Sequence, residues 1–258
     1  ALKIVGANHL LKAQFQGGPP DPYSESFREQ LKHPATFEYY AELLAAGANP
    51  DLHNLTWSRL AELYLNDRIN KAFSSLQKRP RQSLLIELLI SFADLSRRSN
   101  TRNFFLPRDL IQLNLPDLEV EELNPLFSKY AALRKVGLLI EISVNISQQN
   151  IGFYASDMGS YLLSFTLREE FSRSENKHIT VKKWLDESRT FIPIIDAFLV
   201  LIDRLVTEDP LHPTLISLLK TFAELRDFYS PNFIQFYRLL NPNILITLFE
   251  LRNIEVIS

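Results

Sequence analysis

Apolar residues recur at helical spacing along most of the chain. Phe37, Tyr40, Leu43 and Leu44 form one stripe, Leu60, Leu63 and Tyr64 a second, and Leu84, Leu85, Leu88, Leu89 and Phe92 a third. Positions i, i+3, i+4 and i+7 share one face of a helix, so each stripe predicts an amphipathic helix turned toward a core. Prolines fall between the stripes, in Gly17-Gly18-Pro19-Pro20-Asp21-Pro22, Arg79-Pro80-Arg81, Leu106-Pro107, Leu115-Pro116, Asp209-Pro210, His212-Pro213, Ser230-Pro231 and Asn241-Pro242. Proline lacks the N–H and clashes with the preceding turn, so each marks a helix start or a loop. The pattern predicts an all-α protein of about ten to twelve short helices.

The stretch AELLAAGANPDLHNLTWSRLAELY, residues 41–64, stops one such helix and starts another. A helix ending at Ala45 or Ala46 needs a residue that tolerates positive φ, and Gly47 supplies it. Asn49, Pro50 and Asp51 favour a turn, and the Thr56 hydroxyl is placed to cap the next helix.

A related order returns at residues 124–159, NPLFSKYAALRKVGLLIEISVNISQQNIGFYASDMG. Asn124-Pro125-Leu126 is expected to open one helix and Val136-Gly137-Leu138-Leu139-Ile140-Glu141 to lie in a second. Val144-Asn145-Ile146 is expected to form a finger, and Asn150-Ile151-Gly152-Phe153 a turn. This resembles an ankyrin repeat. The matches are Asn124, Pro125 and Leu126 at the helix start, the Ala131-Ala132 pair, Leu138-Leu139 in the second helix and Asn145 in the finger. The earlier stretch matches at Leu43-Leu44, Gly47-Ala48-Asn49, Thr56, Leu60 and Ala61. Asn145 lies 145 − 49 = 96 residues after Asn49, near three repeats of about 33 residues. A unit between them is expected from Thr56-Trp57 to Gln77, with NDRINKAFSSLQKR as its second helix. Residues 82–123 fit the pattern poorly, Trp57 stands where it has proline, and Ser143 replaces the finger glycine.

The resemblance implies a degenerate ankyrin-like solenoid of stacked antiparallel helix pairs over residues 35–165. Residues 1–34 would be an N-terminal segment and linker, and 166–258 a C-terminal helical region. Such arrays leave a concave surface and fingers free for contact, so the implied function is non-catalytic binding of another protein, as a module or scaffold. Diverged arrays of this kind are similar to those of bacterial effectors that act on a host protein. The residues implied to bind the partner are Asp51, His53, Trp57, Arg79 and Arg81, with Lys182, Lys183 and Trp184 as the next group.

Composition narrows the classes. Of 258 residues, 46% are hydrophobic and 22% charged, the balance of a globular rather than a disordered chain. The 28 basic against 30 acidic residues leave no concentrated positive field, which disfavours nucleic acid. The absence of cysteine excludes disulfides and thiolate zinc sites, and fits the reducing cytoplasm, or a host cytosol for an effector. No membrane-spanning segment is expected, because the apolar run Phe191–Val206 is broken by Asp196 and Asp203-Arg204.

Candidate chemistry is sparse. His9, His33, His53, His178 and His212 are scattered without metal-ligand spacing, and neither G-x-S-x-G nor a glycine-rich phosphate loop occurs. Glu169-Glu170 between Arg168 and Arg173 reads as a solvated helix face. Lys78-Arg79-Pro80-Arg81 and Arg97-Arg98 with Arg102 read as basic loops that the run Asp117-Leu118-Glu119-Val120-Glu121-Glu122 would neutralise. Phe104-Phe105 reads as core. The sequence therefore predicts no enzyme, no cofactor and no metal. The alternatives are a substrate-recruiting region of a larger enzyme, and a binder of anionic lipid or nucleic acid through the basic loops.

Overall fold

The computed structural model describes residues 34–47, 56–77, 80–99, 101–124, 126–145, 148–209 and 212–224. The chain divides into two compact units, residues 1–67 and 68–258. It is mostly helical, and a three-stranded antiparallel sheet adds to the all-α expectation.

In the first unit, α1 runs Pro34–Ala45 and α2 begins at Trp57, continuing to Ser75 across the unit boundary. Gly47 takes φ +82°, and the Thr56 hydroxyl accepts the Arg59 N–H at 3.3 Å, as expected of these two residues; Asn49, Pro50 and Asp51 lie outside the described residues. Tyr39 and Tyr64 stack with ring centroids 4.1 Å apart, beside buried Leu43, Leu60 and Ala61. The helix pair expected between Thr56 and Gln77 is instead the single helix α2. No glycine or proline lies between Trp57 and Ser75 to break it.

The second unit continues with α3 (Gln82–Arg98), β1 (Phe105–Pro107), α4 (Arg108–Asn114), a 3-10 turn (Pro116–Leu118) and α5 (Lys129–Lys135). The hairpin β2 (Leu139–Asn145) and β3 (Gln148–Phe153) follows. Four helices come next: α6 (Ser156–Arg173), α7 (Lys177–Glu187), α8 (Pro193–Glu208) and α9 (Pro213–Glu224). The strand order is β1-β3-β2, with β3 central. Leu106 faces Ile151, and Leu139 faces Phe153; all four are buried, so this sheet face closes on the helices.

An edge-to-face series of rings ties sheet to helices. Phe92 on α3 meets Phe153 on β3 at 5.3 Å, Phe153 meets Phe104 at 5.5 Å, and Phe104 meets Phe191 ahead of α8 at 5.2 Å. Phe104 is buried as expected, and Gly159 of α6 lies directly against its ring. Helix α8 packs along α6, where the Arg204 guanidinium sits 3.6 Å from the Phe165 ring centroid.

Residues 124–159 depart from the helix-pair expectation. Ser128 caps α5 by accepting the Ala131 N–H at 3.0 Å, so this helix starts after Asn124 and Leu126. Gly137, at φ +76°, ends it. Leu138 N–H reaches back to Leu133 O at 3.0 Å, which closes a Schellman motif. The chain then reverses into β2, so Leu139, Ile140 and Glu141 are strand and not a second helix. Asn145 ends β2 and is not an inter-repeat finger, and residues 150–153 are strand β3 rather than a turn.

Candidate docking surface

Strand β2 carries the surface. Its side chains alternate because successive Cβ atoms point to opposite sheet faces. Leu139 is buried and Glu141 turns inward, whereas Ile142 and Val144 are 43% and 57% exposed. Ser143 faces Gln149, and the next pair is Asn145 with Gln148, so Val144 is the extra residue of a bulge. The other edge of β2 carries no strand among the described residues.

Glu141 fixes β2 to the helices around it. Its carboxylate accepts from Arg134 at 2.9 Å, from the Tyr130 hydroxyl at 3.2 Å and from Arg108 at 3.4 Å. Arg108 also donates to Val120 O at 2.6 Å and to Gln149 at 3.0 Å, which joins the start of α4 to the loop before α5 and to β3. Burial, and then the Glu141 charge, push the Tyr130 hydroxyl up to about 12. Arg108 and Arg134 pair the inward carboxylate, and residues 142–154 of the hairpin carry no charged side chain.

The loop between α4 and α5 adds apolar surface. Leu123, Leu126 and Phe127 are 62%, 49% and 53% exposed, in a turn closed by Phe127 N–H on Asn124 O at 3.0 Å. Asp117, Glu121 and Glu122 of the same loop are exposed, while Glu119 pairs with Lys129 at 2.8 Å. From Ile142 to Tyr154 no residue is charged. Exposed apolar side chains and exposed acids thus share this loop.

The expected partner residues fall elsewhere. Asp51, His53 and Arg79 lie outside the described residues. Trp57 opens α2 and is half-buried, and Arg81 is exposed at the N-cap of α3. Lys182 and Lys183 are exposed on α7, but Trp184 is buried and donates its indole N–H to Glu170 at 2.8 Å.

Arg97 and Arg98 are not a basic loop. They end α3, with Arg97 buried against Glu170 and Glu187 and Arg98 paired to Asp94 at 2.6 Å. Glu170 correspondingly leaves the solvated face assigned to it. The stripe Leu85, Leu89, Ala93 steps by four residues to position 97, and that signal places Arg97 on the inward face.

A shallow groove of about 620 Å³ lies between the start of α7 and α9, lined in part by His178, Ile216, Ser217 and Lys220. Lys177 at its rim already donates to the carbonyls of Phe171 and Ser172. Among the described residues, no three His, Asp or Glu side chains are grouped to hold a metal ion, and no helix is long and apolar enough to cross a membrane. No protein-family model, curated protein or solved structure matches the chain.

Proposed function

We propose that this chain is a non-catalytic protein-binding module, and that it docks partners through the exposed side of β2 and the loop that precedes α5. The observation that carries this reading is the row of exposed Ile142 and Val144 on a strand edge that no described strand pairs and that has no lysine or proline. The inward Glu141 and the bulge at Val144 are devices that guard an edge. Glu141 is paired by Arg108 and Arg134, however, and the bulge sits at the end of the strand, which leaves residues 139–143 open to strand addition. Exposed Leu123, Leu126 and Phe127 supply the apolar anchors that such interfaces concentrate. The ankyrin resemblance would rest on residues 41–64 alone, and docking at β2 does not depend on it. A role as a bacterial effector remains a proposal attached to that resemblance.

One observation favours a second reading, nucleic-acid binding. The path α3, β1, α4, α5, β2, β3, with β3 central, is that of a winged helix-turn-helix, in which α5 would enter a groove. Its charges argue the other way. The described side chains exposed on α5 include Arg134 and Lys135, Arg134 is engaged by Glu141, and the hairpin is uncharged. Residues 115–128 between α4 and α5 are also much longer than a helix-turn-helix turn and carry acids only.

A photo-crosslinking residue placed at Phe127 or Val144, with Lys182 as the control position, tests the proposal in an extract of the source cells. Protein adducts at the first two positions that persist in about 0.5 M salt and after nuclease treatment are expected. Adducts confined to Lys182, or nucleic-acid adducts that vanish with salt, would overturn it.

A further inference from the structure

The unused backbone groups of β2 follow a readable order. Tyr154 N–H donates to Leu138 O at 3.1 Å, so these residues face each other one step before Leu139 and Phe153. Hydrogen-bonded and non-bonded pairs alternate in an antiparallel ladder. Ile140 and Ile142 therefore turn their N–H and C=O toward β3, and Leu139, Glu141 and Ser143 turn theirs to the open edge. No described residue bonds to those outward groups.

We propose that this edge pairs with β2 of a second copy of the chain, antiparallel, about a two-fold axis at Ile142. The inference rests on the reading of β2 as a docking edge and names its occupant. Two rules limit the register without fixing it, and charge and the exposed apolar row choose among the axes they allow. A sheet that continues across the junction must keep the same face, and the outward-bonding residues must meet one another. An axis at Glu141 satisfies both but sets the two Glu141 residues directly opposite, like charge against like.

An axis at Ile142 satisfies both without that cost. Glu141 and Ser143 of one copy then form hydrogen-bonded pairs with Ser143 and Glu141 of the other. Ile142 meets itself at the close, non-bonded spacing, and Ile140 meets Val144, so the exposed apolar row becomes a shared strip. The bulge at Val144 ends the ladder just beyond. Charge permits the approach, because Glu141 is compensated by Arg108 and Arg134 and residues 142–154 carry none. The contact is isologous, so it closes at a dimer and does not propagate. A strand pairing this short is smaller than a standard interface of about 1,600 Å², which makes the dimer weak and reversible, with half-assembly at roughly 20–100 µM.

Sedimentation equilibrium between about 5 and 300 µM, a span that brackets this range, tests the proposal. The wild-type chain is expected to pass from monomer to dimer. Ile142→Lys and Ile142→Glu should each be monomeric, because like charges meet at the axis, and an equimolar mixture of the two should dimerise again. Ser143→Pro removes an outward N–H that β3 does not use, so it should keep the wild-type circular dichroism and lose the dimer. A wild-type monomer throughout the range, dimers that survive every variant, or a mixture that stays monomeric would each overturn it. If the monomer still gives protein adducts at Val144, the docking function stands and the second copy alone is excluded.

Discussion

Arg97 and Glu170 meet as a bidentate pair between α3 and α6, with Nη1 to Oε1 at 3.0 Å and Nη2 to Oε2 at 3.1 Å. Arg97 Nε donates at 2.7 Å to Glu187 of α7, and the Trp184 indole donates at 2.8 Å to the same Glu170 Oε2 that accepts from Arg97 Nη2. One buried guanidinium thus fastens three helices, and the fork geometry is what only arginine provides.

Removing that guanidinium leaves two partly buried carboxylates facing each other. Arg97→Ala is expected to cost about 3 kcal/mol, the lower end for a broken buried pair because both acids keep some solvent. Arg97→Lys should recover less than half. Urea denaturation reads both, and a loss under about 0.5 kcal/mol for Arg97→Ala would mean that the network does not hold the helices.

The same pair sets an acid limb. Burial raises the Glu170 carboxyl, but the hydrogen bonds from Arg97 and Trp184 and the Arg97 charge outweigh it and hold the group below its ordinary value of 4.5. A carboxyl that binds its proton less readily when folded adds stability above the unfolded value. That stability is lost as pH falls through the folded one. The melting temperature of the wild type should therefore drop below about pH 4.5, and more steeply than that of Glu170→Gln. Parallel curves for the two proteins would remove Glu170 as a source of the acid limb.

Leu139→Ala should destabilise by roughly 2–5 kcal/mol, because the side chain is fully buried opposite Phe153. A loss below about 0.5 kcal/mol in denaturant titration would place it on the exposed face and shift the register of β2 by one residue.

That residue shows where the sequence could be read and where it could not. Helices α1 and α3 follow from apolar stripes, and the break after Ala45 from Gly47 and Thr56, since local backbone preference decides all three. The sequence places Leu139 in a second helix, and the structure places it, buried, on a strand. Residues 139–145, Leu-Ile-Glu-Ile-Ser-Val-Asn, do alternate with a period of two, the strand signal, but two adjacent leucines after Gly137 also fit a helical stripe. The Schellman closure at Gly137 decides between them, and it depends on how the chain leaves α5 rather than on composition. Phe104 was legible as core because a phenylalanine before a proline-broken segment is costly to expose. Arg97 was legible only as the next inward position after Ala93; that a guanidinium stays there needs Glu170 and Glu187, 73 and 90 residues away in sequence.

Gly159→Ala tests the ring series. A Cβ there would stand 2.5 Å from Phe104 Cδ2, and that ring is held between Phe153 and Phe191 and has little room to yield. A destabilisation of about 1–3 kcal/mol is expected. Thermal unfolding unchanged from wild type would show that the Phe104 ring moves freely.

The most direct test of β2 as an open docking edge is amide hydrogen exchange, resolved residue by residue, at about 10 µM and about 300 µM, on either side of the expected half-assembly. Ile140 and Ile142, bonded to β3, should exchange slowly at both concentrations. Glu141 and Ser143 should exchange quickly in the dilute sample and slowly in the concentrated one. Uniform protection from residue 139 to 143 at both concentrations, as in a continuous helix, or fast exchange at Glu141 and Ser143 at both, would contradict the account.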